Sequence, residues 1–234
     1  MAMAAMNFRA PQRFVRAALV ALSGVALLAG GAAAQTVAGV AFGSYVNALG
    51  VTAQSPVATL PDTGGMAVGA TETFGVPSAL NAQWLEAVTT GAVDAAVSTS
   101  QSTSELENVS ILNGLITADI VTAIASSYRN ATGVAGGSDG SGFVNLVVGG
   151  VAITTDVTPN TRVDLPGVGY AILNEQAPTG DGVTSAGLTV NMIHVYLQSL
   201  TGGIVDPLTG QVLGGTLTTT GEIVVGSATS SVGS

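Results

Sequence analysis

ILNGLITADIVTAIASS, residues 111–127, is the most hydrophobic run outside the N-terminus, and it carries one charge, Asp119, near its middle. Three structures compete for it: a membrane helix, a buried helix and a strand. The membrane helix fails on length and polarity. Seventeen residues that include Asn113, Asp119 and several hydroxyls fall short of the ~20 apolar residues a span needs. Leu112, Ile116, Ile120 and Ile124 recur every four residues, which suits a helix. Four is also twice two, so the same residues line one face of a strand together with Gly114, Ala118 and Ser126. Asn113, Thr117 and Asp119 then share the opposite face. Seven of the seventeen residues are β-branched, which favours sheet. The run is therefore read as one long strand, or two broken near Gly114, with Asp119 a polar-face residue and not a catalyst.

The same period extends outward. FGSYVNALGVTAQ (Phe42 to Gln54) reads as a long strand kinked at Gly50, and LPDTGG as a turn. FVNLVVGGVAITTDV is two β-branched runs joined by Gly149 and Gly150, a two-residue hairpin signal. In TRVDLPGVGYAILNEQ, Arg162 and Asp164 alternate with Val163 and Leu165 before Pro166 and Gly167 interrupt the run. In GLTVNMIHVYLQSL, strict alternation puts Leu188, Val190, Met192, His194 and Tyr196 on one face. The last stretch reads as a hairpin turning at Gly221. One segment suits a helix: Ser78 is a possible N-cap, Leu80, Trp84, Leu85 and Val88 have helical spacing, and Gly91 would end it. The expected fold is one all-β domain over residues 35–234, an antiparallel sandwich with Gly-rich turns and room for one short helix over residues 79–90. A β-solenoid is the alternative, although no repeat period is found.

Composition bounds what such a domain does. The chain has 234 residues, of which 47% are hydrophobic and only 8% charged, against roughly 25% charged in ordinary soluble domains. Its surface must be built from Thr, Ser, Asn, Gln and Gly. There is no Cys and no Lys, so disulfides are excluded and the core and sheet hydrogen bonds must hold the fold. The N-terminus explains three of the five Arg. Arg9, Arg13 and Arg16 precede the apolar AALVALSGVALLAG, and Ala32 and Ala34 give the A-x-A pattern that a signal peptidase reads. Residues 1–34 are expected to be a signal peptide cleaved after Ala34. Beyond it, Arg129 and Arg162 stand against 14 acids, a net charge of 2 − 14 = −12. No basic patch can be assembled from two Arg, so nucleic acid is not an expected partner. A membrane barrel is disfavoured by the shortage of aromatics for its two girdles.

The order of four pieces resembles the choice-of-anchor P family of exported bacterial proteins. They are LNGLITADIV, PNTRVDLPGVGYAILNEQ, GLTVNMIHVYL and GEIVVGSATSSV, with AFGSYVNALGV fitting a first strand upstream. The likeness covers nearly all of residues 35–234. It implies an exported, surface-associated or secreted domain, to which no catalytic residues are carried over. Family members share a domain and differ in their sorting tails. This sequence stops at Ser234 with no LPxTG, terminal hydrophobic helix or basic tail, so release is expected over anchoring.

Candidate chemistry is sparse. His194 is the only His, and it lies in NMIHVYL among apolar neighbours. A structural role at the edge of the core is expected rather than a Ser–His–Asp site. One His and no Cys leave zinc without its usual ligands. Glu105 and Glu107 share a strand face in STSELENVS, as a carboxylate pair for glycoside chemistry would, but no cleft is identifiable and a solvated face is the plainer reading. If an ion binds, calcium is the candidate, at the Gly loops of Asp139 and Asp181. Neither loop has EF-hand spacing, so both read as turns. Asn108 and Asn130 match the glycosylation sequon, which the bacterial origin implied by the resemblance makes a chance match. No catalytic, cofactor-binding or metal residue is assigned. Two functions stay open: an exported non-catalytic surface or matrix domain with a structural, adhesive or assembly role, including self-association through sheet edges, and a secreted hydrolase using Glu105, Glu107 and Asp119.

Overall fold

A computed structural model describes residues 35–94, 96–206, 208–209 and 212–234. The expected signal peptide lies outside the described residues. The chain enters on β1 (Thr36–Ala48), to which β2 (Val51–Gln54) and β3 (Val57–Thr59) both pair on one side. It crosses to a second layer and lays down a meander of β4 (Gly65–Val76), β5 (Leu80–Val93), β6 (Ser98–Ile111) and β7 (Ile116–Asn130). Short strands finish that layer. β8 (Gly133–Gly137), β9 (Gly142–Val144) and β10 (Val147–Val148) pair with β7, and β11 (Val151–Ala152) pairs with β10. The chain returns to the first layer on β12 (Thr161–Leu165), β13 (Gly169–Thr179) and β14 (Ala186–Thr201). After a separate hairpin of β15 (Ile204–Val205) and β16 (Val212–Leu213), β17 (Thr216–Gly233) inserts between β14 and β1. The strand orders are β12-β13-β14-β17-β1-β2 and β11-β10-β7-β6-β5-β4. Every pairing is antiparallel, neither sheet closes into a barrel, and no helix occurs among the described residues. The domain is all-β, and its two layers do not stack as solenoid repeats.

Two kinds of interior join the layers. At one end, Leu106, Ile111, Ile116 and Val121 of the second layer meet Leu173, Met192, Ile193 and Ile223 of the first, all fully buried. Each such side chain contributes about 1.5–3 kcal/mol by leaving water. At the other end, the inward positions of β6 are Ser98, Ser100, Ser102 and Ser104, also buried. Their hydroxyls cross the interface: Ser100 Oγ donates to Ala38 O at 2.7 Å, Ser102 Oγ to Thr229 O at 2.6 Å and Ser104 Oγ to Phe42 O at 3.0 Å. Contact between so short a side chain and the opposite backbone requires the sheets to approach well inside the usual ~10 Å. The interior therefore tapers from an aliphatic end to a hydroxyl-bonded end.

A crease runs across both sheets. In β6, Ser98 through Leu106 face inward at even positions, and then Val109 and Ile111 face inward at odd ones. The slip falls at Asn108, whose φ is 52°. Opposite it, β7 slips at Asp119, so Ile116 and Ala118 point in, and so do Val121, Ala123 and Ala125. Trp84 on β5 (φ 48°) and Asn145 beside Asp119 (φ 52°) continue the line. In the first sheet, Asn174 (φ 50°), Met192, Gly226 (φ 69°) and Gly43 form the matching row, and the ladder pairing skips these positions on β13, β14, β17 and β1 alike. Asn and Gly tolerate the left-handed conformation that this reversal needs. Gly226 has a second reason to be glycine, because a Cβ there would lie 2.9 Å from Val121 Cγ1.

The crease corrects several expectations. Residues 79–90 are not helical. β5 places Leu80 and Ala82 inward, slips at Trp84, then places Leu85 and Ala87 inward. One skipped residue in a period of two imitates helical spacing. Strict alternation in β14 fails for the same reason. Leu188, Val190 and Met192 point in, followed by Ile193, Val195 and Leu197, while His194 and Tyr196 turn outward. The opening run is two strands, as its second reading allowed: β6 ends at Ile111, residues 112–115 turn, and β7 begins at Ile116. Its faces differ from the expectation, since Ile120 and Ile124 lie across the crease from Ile116 and are only half-buried. Residues 42–54 form a hairpin at Leu49 and Gly50, not a kinked strand. β17 is continuous through Gly221, where a bulge against Leu197 and Gln198 replaces the expected turn. The Gly149–Gly150 hairpin is as read: both residues have positive φ, 58° and 80°, between the paired Val148 and Val151.

Candidate functional site

Beyond the crease, the outward face of the first sheet carries the one dense cluster of ionisable and aromatic groups among the described residues. β13, β14 and β17 lie side by side, and their register places Ile172 and Val224 on either side of His194. Its imidazole, 11% exposed, reaches a carboxylate on each neighbouring strand. Nδ1 lies 2.7 Å from Glu175 Oε2 and Nε2 lies 3.3 Å from Glu222 Oε2. Glu175 is further engaged by Tyr196, whose hydroxyl donates to Oε1 at 3.2 Å, and by Asn191 Nδ2, which donates to Oε2 at 2.8 Å. Asn191 Oδ1 in turn accepts from Ser227 Oγ at 2.8 Å. A chain of bonds thus binds three strands through their outer side chains.

The aromatic groups stack in line with it. The His194 and Tyr196 ring centroids are 4.0 Å apart, those of Tyr196 and Tyr170 4.8 Å, and the Arg162 guanidinium carbon lies 3.8 Å above the Tyr170 ring. Arg162 also pairs with Asp164 at 2.8 Å, an exposed contact of small energetic weight. The flat surfaces of the rings are therefore directed at one another.

Proton affinities follow from these contacts. Burial opposes charging His194, but the hydrogen bonds and charges of Glu175 and Glu222 outweigh it, and its pKa is raised. The hydrogen bond from His194 lowers the pKa of Glu175, with burial working against it and Asn191 and Tyr196 assisting. Burial, then the adjacent Glu175, pushes the Tyr196 phenol up. An imidazolium donating to both carboxylates fits these distances. It can hold a proton. The one hydroxyl beside it is that of Tyr196, 3.0 Å from Nδ1, and its proton affinity is raised, not lowered; Ser227 is spent on Asn191.

The other candidates lie elsewhere. Glu105 and Glu107 both project from the outer side of the second sheet, the opposite face of the sandwich from His194. Glu105 stands directly across from Glu86 and accepts from Thr122 Oγ1 at 3.4 Å. Asp119 is exposed and accepts from Asn145 Nδ2 at 2.7 Å. The sequence-proposed trio thus shares one sheet face, with Asp119 occupied in the crease. Asp181 accepts from the backbone N–H groups of Val183, Thr184 and Ser185 at 2.8–2.9 Å and from Thr184 Oγ1 at 2.7 Å. These bonds, led by the Thr184 hydroxyl, hold its carboxyl well below the usual range. The carboxylate organises its own loop. Asp139 lies in an exposed turn, Asn108 fills the left-handed position of the crease, and Asn130 accepts from the Thr132 N–H at 2.8 Å. Among the described residues, no group of three or more His, Cys, Asp or Glu is arranged to hold a metal. Cavities of about 460 and 430 Å³ open at the β4–β5 turn, around Pro77 and Asn113, and beside Pro166 and Gln198.

Glu175, Glu222, Asn191 and Tyr196 escape a sequence reading because they meet His194 only through the register of three strands. The available signal is the pair of isolated acids in NEQ and GEI, each in a strand-like context beside the strand of the sole His. Comparison with known proteins returns no matching family model, no matching curated protein and no matching solved structure.

Proposed function

We propose that this chain is an exported, non-catalytic β-domain of the cell surface or extracellular matrix, of the choice-of-anchor type, whose role is structural or adhesive. The observation that carries the reading is the use made of the ionisable groups. The single His is clamped between two carboxylates on one outer face, and the candidate carboxylates occupy the other. Each is engaged with strand or loop neighbours rather than gathered around a cavity. An N-terminal export-like segment and a low-charge surface of Thr and Ser support the same reading.

The test is fractionation followed by binding. The protein is located in medium, wall and membrane fractions of its host, and the purified chain is titrated onto envelope and matrix material. Recovery outside the cytoplasm with saturable retention on that material is expected. A cytoplasmic protein, or one that hydrolyses polysaccharide or peptide polymers and loses this activity as Glu105→Gln or Glu107→Gln, would refute it.

A further inference from the structure

We infer that β4 is a docking edge for a second copy of the chain, joined antiparallel about a two-fold axis through Val68. The inference rests on the surface-domain reading above and specifies how such a domain assembles.

Edge strands expose unpaired N–H and C=O groups, and natural sheets keep them short, charged or interrupted. Three of the four edges of the two large sheets follow that rule. β12 has 5 residues at one side of the first sheet, with β2 and β3, of 4 and 3, at the other. The far side of the second sheet is divided among β8, β9, β10 and β11, of 5, 3, 2 and 2 residues. β4 departs from it, with 12 residues, no Pro, no Lys or Arg and a single charge, Glu72. Among the described residues no strand pairs with its outer side. Its outward side chains beside that edge are apolar: Met66 is 66% and Val68 54% exposed.

The occupant follows from geometry. Head-to-tail growth would set β4 against the opposite edge of the same sheet, where no piece exceeds 5 residues. Self-pairing meets a strand of full length. Its register is constrained by the crease, because directly opposed residues must point to the same side of the sheet. β4 alternates regularly from Gly65 to Thr71, with Ala67, Gly69 and Thr71 inward and Met66, Val68 and Ala70 outward, and slips at Glu72. Centring the two-fold on Val68 opposes Val68 to itself and Met66 to Ala70. Ala67 faces Gly69, and both slips fall outside the ladder. The resulting seven-residue ladder is about 24 Å long, buries the apolar outer row and opposes no charge to a charge. An isologous contact of this kind closes at two copies. With a net charge of 2 − 14 = −12 on each copy beyond residue 34, the dimer tightens as salt rises.

The absence of Cys makes the register directly readable. In the full chain, Val68→Cys places two thiols directly across the ladder, within the roughly 4.4–6.8 Å Cα separation a disulfide accepts. Met66→Cys leaves its thiols about 13 Å apart along the strands. Val183→Cys, in a loop and 74% exposed, controls for random collision. With glutathione disulfide as oxidant, Val68→Cys is expected to cross-link at least tenfold faster than either, and wild type to scatter light as a dimer at tens of micromolar. Val68→Lys, with an unchanged melting curve, is expected to scatter as a monomer. Equal cross-linking at all three positions, or a wild-type monomer at the highest soluble concentration, overturns the proposal. A monomer that still binds envelope material overturns the dimer alone; a monomer that also binds nothing sinks both readings.

Discussion

The same substitution, Ser to Ala, is expected to have opposite signs at two fully buried serines. Ser102 and Ser44 are each 0% exposed, on facing layers. Ser102 Oγ donates to Thr229 O at 2.6 Å across the interface. Ser44 Oγ has no hydrogen-bond partner. Removing the Ser102 hydroxyl forfeits a net ~1 kcal/mol (range about 0.5–1.5), since Thr229 keeps its place between β1 and β14. Removing the Ser44 hydroxyl abolishes the cost of burying an unpaired donor, about 1–3 kcal/mol, against a small loss of packing. Ser102→Ala is therefore expected to destabilise by about 1 kcal/mol and Ser44→Ala to stabilise by about 1 kcal/mol. Urea unfolding separates them: the midpoint moves down for one and up for the other at constant m, and melting temperatures differ by roughly 4–8 °C for a domain of this size. Thr89→Val, at another buried and unpartnered hydroxyl, should follow Ser44→Ala. If Ser44→Ala and Ser102→Ala lower the midpoint equally, hydroxyl pairing is not what distinguishes the two ends of the interior.

Three further outcomes test the crease and the clamp. Gly226→Ala adds a Cβ at φ 69° and 2.9 Å from Val121 Cγ1, and should cost roughly 2–4 kcal/mol in urea unfolding; a loss below ~1 kcal/mol would refute the crowding argument. Asn174→Ala, which also loses the bond to Val157 O at 2.9 Å, should cost about 1–2 kcal/mol more than Asn174→Gly. The raised pKa of His194 contributes stability that is fully present below its ordinary value of 6.5 and is lost as pH rises through the folded value. The lowered pKa of Glu175 contributes stability present above 4.5 and lost as pH falls through its folded value. Urea midpoints should peak between about pH 4.5 and 6.5 and decline on both sides, and His194→Gln should flatten the alkaline limb; parallel curves would remove the clamp from the account.

Strand content is legible wherever alternation runs unbroken, as in Ser98 through Leu106, and turn chemistry is legible at Gly149 and Gly150. Side-chain faces are not legible across the crease. At Trp84 a bulky residue occupies the left-handed position that Asn or Gly would have signalled, and the slip there mimics helical spacing. Asn108, Asn145 and Asn174 do carry the signal, but each is a lone Asn in its segment, and only their alignment across neighbouring strands gives it meaning. The clamp shares this limit. The apolar neighbours of His194 suggest the edge of the core, but it lies on the outer face of its sheet, and Glu175 and Glu222 lie 19 and 28 residues away and depend on a register that periodicity does not encode.

Thr36 and Gly233 stand opposite each other at one end of the β1–β17 ladder, and the two strands run antiparallel from there to Asn47 and Glu222. A pull applied at that pair would part the ladder one rung at a time, like a zipper, at low force. A pull applied between β12 and β4, on the outer margins of different layers, would load many rungs and the aliphatic interior together. Attachment at that pair of strand ends is thus expected to yield rung by rung and attachment at the flanks to share the load, a contrast that single-molecule pulling at the two pairs of positions would read.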